Sequence, residues 1–365
     1  MLFVAFGLVA WKTELIVLNP DHILVHSLAE VTLVVVLFAD AARIDIRRLR
    51  SEHSIPIRLL FAGIPLTVLL GTGAALVILP ALSIWEAALI ASILAATDAA
   101  LGQAVVTSEA VPLRIRNALN VESGLNDGLA LPLVLVFASL ASIGGEGAAH
   151  WIRFGLLQVT LGPLVGVAIG AVGALGVKAA LSRGWTNAPL EGIATVATAA
   201  LAVAVAESVG GNGFIAAFVA GLSFGNLLPR RCDFVHEFAE SEGQLLTLAT
   251  FGLVGACVIP HSLAGSELAW WLYAALALTG IRMLAAILAL IGAKLRISTQ
   301  LFLGWFGPRG LASVLFAMIA LEGMPLENAE TIRGVVAATV VLSVFAHGAS
   351  AFPLATLFGR KARES

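Results

Sequence analysis

Long apolar segments recur along the whole chain and constrain its fold more than any other feature. Reading them between charged or turn-rich breaks gives twelve segments, most of them close to the roughly 20 residues that a transmembrane helix needs. They lie near 1–17, 23–41, 56–79, 84–107, 113–139, 154–181, 188–208, 213–228, 243–260, 267–293, 298–320 and 331–357. The pattern predicts an all-α polytopic membrane protein with about 12 transmembrane helices.

Composition supports this fold class. Of the 365 residues, 59% are hydrophobic and 12% are charged, whereas soluble domains contain about 45–50% apolar and about 25% charged residues. The formal net charge of −2 creates no field that would attract nucleic acid. We therefore exclude a soluble enzyme, a nucleic-acid-binding protein and a secreted disulfide scaffold.

Basic residues predict the orientation of the spans. Sixteen of the 21 lysines and arginines lie in alternate connections or in the C-terminal tail, and only Lys12, Arg153 and Arg333 lie in the opposite set. Cytoplasmic loops carry such an excess of positive charge. We expect a protein of the cell membrane with a cytoplasmic C-terminus. The two remaining basic residues, Arg282 and Arg309, fall inside predicted spans.

Acidic residues inside the spans indicate where a site lies. Asp98 is in the fourth span, and the fifth contains Glu122-Ser123-x-x-Asn126-Asp127. On a helix Glu122 neighbours Asn126, and Ser123 neighbours Asp127, because residues four apart share a face. Charges inside a bilayer are costly and mark ion or substrate pathways. A polar patch that only joins helices is the alternative, but three carboxylates in two neighbouring spans favour an ion-binding site.

The eleventh span carries Gly307-Pro308-Arg309-Gly310 near its middle. Proline removes a backbone donor and glycine permits unwound backbone. Together with the polar residues near the middle of the fourth span, at Asp98, this motif favours the discontinuous helices of secondary transporters. A simple proline kink with a snorkelling arginine is the alternative.

These motifs resemble the NhaP/NHE sodium–proton antiporters of the monovalent cation:proton antiporter-1 family. The resemblance rests on Thr97-Asp98, followed 29 residues after the aspartate by Asp127 of the Glu-Ser-x-x-Asn-Asp motif. Four further segments match the family. They are Leu-Phe-Ala-Asp in the second span, Val111-Pro-Leu-Arg-Ile-Arg, the glycine-flanked segment from Gly213, and the arginines of the tenth and eleventh spans. It extends from the second span to the twelfth.

The resemblance implies two inverted six-helix repeats, with the discontinuous fourth and eleventh spans crossing at the site. The first repeat would be 1–153, a linker helix 154–187 and the second repeat 188–365. The transport core would comprise 56–139 and 267–357, and the other helices would form the scaffold of a homodimer.

The resemblance also implies the ligands of the transported ion. Asp127 would bind either the cation or the proton. Glu122, Ser123 and an oxygen of Thr97 would complete the sodium shell. Oxygen ligands of this kind suit a hard cation.

Further roles follow from the same resemblance. Asp98 would balance the helix ends at the crossing, and Asn126 distinguishes this branch from electrogenic relatives that carry Asp-Asp. An intramembrane arginine would pair with Glu122, and the sequence leaves Arg282 and Arg309 open as that partner.

Two departures from the family pattern stand out. Ala99 occupies the position where proline usually follows Thr-Asp, so we expect the fourth span to unwind less than in the family. The family usually has thirteen spans, and the first apolar segment here matches only the later part of the family's second. We therefore expect the sequence to lack the family's first helix.

The predicted function is secondary transport that exchanges sodium or lithium for protons across the lipid bilayer, electroneutrally and by alternating access, with no cofactor. Glu122 would stay ionised beside its arginine while Asp127 takes up either ion. A potassium/proton antiporter of the same fold and a cation channel remain alternatives. A membrane-embedded hydrolase is disfavoured because its paired-Asp, Ser–His or His-Glu-x-x-His motifs are missing from the sequence. His347 is interpreted as a packed polar residue.

Overall fold

A computed structural model describes residues 1–15, 22–44, 46, 54–142, 148–228, 243, 245–322 and 325–363. Within these ranges every regular element is a helix. In chain order the helices are α1 (Leu2–Lys12), α2 (Ile23–Ala42), α3 (Ile55–Ile78), α4 (Ile84–Ile93), α5 (Ala99–Val106), α6 (Leu113–Ala141), α7 (Ala148–Ser182), α8 (Ala188–Ser208), α9 (Gly213–Leu227), α10 (Leu245–Ser262), α11 (Leu268–Ala289), α12 (Ile297–Trp305), α13 (Leu311–Glu322) and α14 (Ala329–Arg363).

Eight helices in the described part are long and apolar enough to cross a membrane. They are α2, α3, α6, α7, α8, α10, α11 and α14. The other predicted spans contain shorter helices, and the fourth and eleventh each consist of two, α4 with α5 and α12 with α13. The predicted discontinuity of these two spans is therefore confirmed. The all-helical membrane fold is confirmed too, while the count of about 12 spans stays a prediction.

Three of the long helices contain a π-helical turn, at Leu59–Gly63 in α3, Val254–Val258 in α10 and Ala277–Ile281 in α11. A π turn adds a residue to one turn and so rotates the side chains that follow it. Arg282 follows the last of these turns directly. The direction of the Arg282 side chain is thus set by the local backbone geometry as well as by the position of this residue in the span.

The chain divides into two compact units. The first, called the crossing unit, comprises Met1–His22, His53–Gly145 and Phe251–Ser365, and the second, called the glycine unit, comprises Ile23–Glu52 and Glu146–Thr250. The predicted transport core, 56–139 and 267–357, lies inside the crossing unit. The proposed repeat and linker boundaries stay predictions.

Glycines set the packing inside the glycine unit. On α7, Gly166 and Gly170 face α9 so closely that an added Cβ at Gly166 would lie 2.6 Å from the Ala216 carbonyl oxygen, and one at Gly170 would overlap that of Ala220. On α9, Gly225 meets the backbone of α2 in the same way. Small residues permit such close helix approach in membranes, so these helices pack backbone against backbone.

Apolar side chains pack together at one end of the crossing unit. The cluster includes Leu59 of α3, Ile115 of α6, Leu290 after α11, and Leu303 and Phe306 of the eleventh span, all buried. Because both the continuous spans and the broken eleventh span contribute to it, the cluster fixes the end of α12 from which the unwound segment starts.

Candidate ion-binding site

Two unwound segments of equal length interrupt the fourth and eleventh spans. The first is 94–98, between α4 and α5, and the second is 306–310, between α12 and α13. Both interruptions cover five residues, and the expectation that Ala99 makes the fourth span unwind less than in the family stays a prediction. Non-helical backbone at membrane depth must be satisfied by surrounding protein or by water.

The two unwound segments satisfy each other. The Asp98 amide donates to the Pro308 carbonyl oxygen at 2.8 Å. The Asp98 carboxylate in turn accepts the Leu311 amide of α13 at 2.8 Å. The Arg309 guanidinium donates to the Ala96 carbonyl oxygen, again at 2.8 Å. Three hydrogen bonds between residues more than 200 positions apart therefore join the breaks directly.

The charges at this crossing match the helix ends. The Asp98 carboxylate lies at the N-terminus of α13, where the helix dipole favours negative charge. Arg309 lies just past the C-terminus of α4, where the dipole favours positive charge. Both side chains are buried. The geometry agrees with the helix-end role expected for Asp98 and gives Arg309 the opposite one.

The ion pair of the site joins Arg282 to Glu122. Arg282 Nη2 lies 2.5 Å from Glu122 Oε1, and each side chain is 1% exposed. Of the two arginines that the sequence left open, the structure therefore pairs Arg282 with Glu122. Gly307 makes room for it, since an added Cβ there would lie 2.6 Å from Arg282 Nε.

A hydroxyl and a carbonyl oxygen from different spans meet beside the crossing. Ser123 Oγ on α6 donates to the Thr97 carbonyl oxygen at 2.9 Å. A pocket opens next to this pair and is lined by Thr97, Asp98 and Ser123 together with Asn120 and Pro308. Residues from both spans thus border one small pocket, whose lining is mostly apolar.

Three predicted site residues do not line this pocket. Glu122, Asn126 and Asp127 are buried on α6 and are not among the residues that line it. Asp127 follows Ser123 by four residues on the same face of the helix. Both polar atoms of the Asn126 amide are buried without a hydrogen-bond partner among the described residues. The structure therefore brings Thr97, Asp98 and Ser123 together around the pocket, and the other three are buried outside its lining.

The sequence did not single out every residue that supports the crossing. Ser313 Oγ donates to the Ile93 carbonyl oxygen, one of the last in α4, at 3.2 Å. Gly310 lies so close to the Asp98 carboxylate that an added Cβ would overlap it. Ser343 and His347 of α14 bond to the backbone of the unwound 306–310 segment and its flank. Their spacing of four residues, serine then histidine on one face of an apolar span, was the available signal.

A family model described as "Sodium/hydrogen exchanger, transmembrane" matches residues 1–357. The K(+)/H(+) antiporter NhaP of Alkalimonas amylolytica is 27% identical over 368 residues, which cover 97% of this chain and 61% of that protein. The Na(+)/H(+) antiporter ApNhaP of Aphanothece halophytica is 27% identical over 361 residues, covering 94% of this chain and 66% of the relative. This chain thus spans less than two thirds of either relative's length.

A solved structure shares the fold. The sodium proton antiporter MjNhaP1 from Methanocaldococcus jannaschii at pH 8 superposes with a TM-score of 0.79 and 20% sequence identity, covering 97% of this chain and 91% of that one. The family match extends over nearly the whole sequence and includes both broken spans. The chain therefore belongs to the sodium/hydrogen exchanger family.

Proposed function

We propose that this protein is a secondary transporter that exchanges one monovalent cation for one proton at Asp127. The observation that supports this most strongly is the balance of buried charge. In the described part of the crossing unit, Asp98, Glu122 and Asp127 are buried at the crossing with Arg282 and Arg309. Three carboxylates and two guanidinium groups sum to a formal charge of −1, which either one proton or one monovalent cation neutralises.

Four of these groups have contacts that connect helices. Glu122 is bonded to Arg282, Asp98 is bonded to the amide of Leu311, and Arg309 is bonded to the Ala96 carbonyl. We assign the exchange to Asp127 on the family resemblance, in which the last carboxylate of the Glu-Ser-x-x-Asn-Asp motif binds either the cation or the proton. Its proton or cation would restore neutrality. Uncompensated charge is costly in a bilayer, so one ion must arrive as the other leaves.

The cation shell that we propose is made of oxygen atoms, as a hard cation requires. Asp127 supplies a carboxylate, Ser123 a hydroxyl and Thr97 a backbone carbonyl, and Glu122 adds negative charge close by. Asn126, with its amide atoms buried, lies one position from Asp127 and would orient the cation or its water. Each proposed ligand comes from α6 or from the unwound segment of the fourth span.

Sodium, with lithium, is the cation that we propose, and potassium is the second candidate. Relatives of this chain are named as Na(+)/H(+) and as K(+)/H(+) antiporters, and the ligand types suit both ions. Vesicles with an internal pH indicator, given chloride salts of each cation in turn, would rank the three.

The pocket suggests the side from which the ion enters. It extends from Thr97 along α5 to Val105 and Val106, towards the connection to α6, whose first turn contains Arg114. Positive charge in that connection predicts the cytoplasmic side. We propose that the described conformation admits ions from the cytoplasm and that movement of the transport core, 56–139 and 267–357, exposes the site to the other side.

We also propose that the protein works as a homodimer in the cell membrane with its C-terminus in the cytoplasm. The orientation rests on the distribution of lysine and arginine in the sequence, and the dimer rests on the family resemblance. Labelling of a single cysteine introduced near residue 363 from either side of sealed vesicles would test the orientation.

Replacing Asp127 tests the central assignment. Purified protein in sealed vesicles with a pH gradient should release protons when sodium chloride is added. Asp127→Asn should abolish this response, because the neutral amide can neither bind a proton nor balance a cation. Asp40→Asn, at a partly exposed carboxylate of α2, is the matched control and should keep the exchange. Proton release by Asp127→Asn would contradict the assignment.

A further inference from the structure

The unwound segment 306–310 is held from both ends by one face of α14. At its C-terminal part the Arg309 amide donates to Ser343 Oγ at 2.7 Å. At its start the Trp305 carbonyl oxygen, the last of α12, lies 2.9 Å from His347 Nε2. Ser343 and His347 are one turn apart and both are buried. The Arg309 amide donates to this serine rather than within a helix, and the Trp305 carbonyl also accepts the Gly307 amide at 2.9 Å, so His347 is its second donor. Loss of a hydrogen-bond partner at a buried backbone group is costly.

The contact with Trp305 places a proton on Nε2 of the imidazole ring. A carbonyl oxygen only accepts, so His347 Nε2 carries the proton that it donates to Trp305. In the neutral ring Nδ1 is then an acceptor, and the Ser343 hydroxyl donates to it across 3.1 Å. Nδ1 also lies 3.0 Å from the Ser343 carbonyl oxygen, a contact that becomes a hydrogen bond only if Nδ1 is protonated as well.

With the neutral ring these bonds form one directed chain. It leads from the Arg309 N–H to the Ser343 hydroxyl, on to Nδ1 of His347, and from Nε2 to the Trp305 carbonyl. The chain bridges the whole interruption of the eleventh span through two side chains of another helix. Every donor in it meets an acceptor, which is the condition under which a buried polar network contributes rigidity.

We propose that Ser343 and His347 are positioning residues for the exchange, acting as a brace that holds the unwound 306–310 segment in place. The inference rests on the proposed function. Between the two ends of the brace lies Pro308, whose carbonyl accepts the Asp98 amide. Arg309, at one end, donates to Ala96. The brace therefore determines where residues 96–98 lie, and with them the Thr97 oxygen that we assign to the cation.

Simple packing of His347 against Trp305 is the competing explanation. Their ring centroids are 5.0 Å apart with an interplanar angle of 36°, so the imidazole does fill space there. The two explanations differ in what they require of a substitute. The brace needs a donor for the Trp305 carbonyl, whereas packing needs only volume.

Three variants and a control separate these explanations. His347→Leu keeps much of the volume without a donor, His347→Gln restores a donor at the end of the side chain, and Ser343→Ala removes the hydroxyl alone. Thr339→Val is the matched control, since Thr339 is buried one turn earlier on α14 and its hydroxyl bonds only within its own helix, to Val335 at 2.7 Å. Each would be assayed as full chain in sealed vesicles at fixed pH, with a thermal unfolding scan of the same preparation.

The brace predicts a change in apparent cation affinity rather than only in yield. His347→Leu and Ser343→Ala should raise the apparent KM for the cation about tenfold, with a smaller effect on the maximal rate, because the ligands are misplaced but still present. His347→Gln should stay within about twofold of the wild-type KM, and Thr339→Val should match it.

Specific results would overturn the inference. An unchanged KM in folded Ser343→Ala, with the wild type active, would contradict the brace, and that small substitution decides the matter even if His347→Leu does not fold. His347→Gln as defective as His347→Leu would show that volume, not donation, is what counts. Absence of exchange in the wild type would instead overturn the proposed function itself.

Discussion

Helices pack against each other differently in the glycine unit and in the crossing unit. In the glycine unit, helices approach through glycines, and the buried hydroxyls make uncharged contacts, as Thr195 does to the Glu191 carbonyl and Thr32 to the Thr250 hydroxyl, both at 2.8 Å. In the crossing unit, the buried charged groups at the crossing bond across long sequence separations, as in the Arg282–Glu122 pair. The first arrangement depends on volume and the second on charge and direction. Substitutions should therefore fail for different reasons in the two units.

The largest effect should come from breaking the buried ion pair. Arg282→Met leaves the Glu122 carboxylate buried without its partner, and loss of one member of such a pair costs about 3–5 kcal/mol. Adding Glu122→Gln should recover much of the stability although not the exchange, since both charges are then gone. The midpoint of thermal unfolding in detergent is the measurement, with the exposed Arg114→Met as control. A double variant no more stable than the single one would contradict this account of the pair.

A smaller loss, expected mainly in exchange, should follow from adding one methyl group at the crossing. Gly310→Ala places a Cβ onto the Asp98 carboxylate and should displace it from the Leu311 amide. Misplacing a positioned group by about 1 Å can cost about a hundredfold in rate. The initial rate of cation-dependent proton release is the readout. Gly73→Ala, on α3 with open space around its Cβ, should keep wild-type activity, and equal rates in the two variants would count against the role of Gly310.

The same methyl group in the glycine unit should reduce stability. Gly170→Ala drives a Cβ into the backbone of α9 at Ala220, and overpacking of this kind costs about 1–3 kcal/mol. Gly176→Ala, on the same helix with open space around it, should be neutral or slightly stabilising because alanine is the better helix former. Comparison of the two unfolding midpoints tests whether the close approach of α7 and α9 is required. Equal midpoints would show that it is not.

The smallest effect should come from the hydroxyl beside the pocket. Ser123→Ala removes the donor to the Thr97 carbonyl, and a single such hydrogen bond contributes about 0.5–1.5 kcal/mol. We expect a rise of about two- to tenfold in the apparent KM for the cation. Ser139→Ala is the control, since that buried hydroxyl bonds within α6 to Leu135 at 2.7 Å. A KM unchanged by Ser123→Ala would remove Ser123 from the proposed shell.

Much of the fold could be predicted from the sequence because membrane spans are long and their interruptions are chemically marked. Pro308 between flanking glycines indicated the break in the eleventh span, and the polar Thr97-Asp98 indicated the fourth. The expectation based on Ala99 stays a prediction, and the unwound backbone there is held by tertiary contacts from Pro308 and Arg309.

Other features of the site depend on geometry that a single sequence does not display. The choice of Arg282 over Arg309 as the partner of Glu122 follows a π-helical turn at Ala277–Ile281, and such a turn has no reliable signature in composition. The sequence alone did not indicate that Ser343 and His347 contact the unwound segment, because nothing in it showed that this segment lies beside them. The residues with charge could be identified in advance, but the pairing among them could not.

The central claim is that the site carries one exchangeable charge, so that one cation replaces one proton. Its most direct test uses sealed vesicles in which sodium and proton gradients oppose each other while the membrane potential is set by an ion that the protein does not carry. We predict that net proton movement stops when the proton and sodium concentration ratios across the membrane are equal, at every potential applied. A balance point that moves with the potential would contradict the account, because it would require unequal numbers of protons and sodium ions to cross in each cycle.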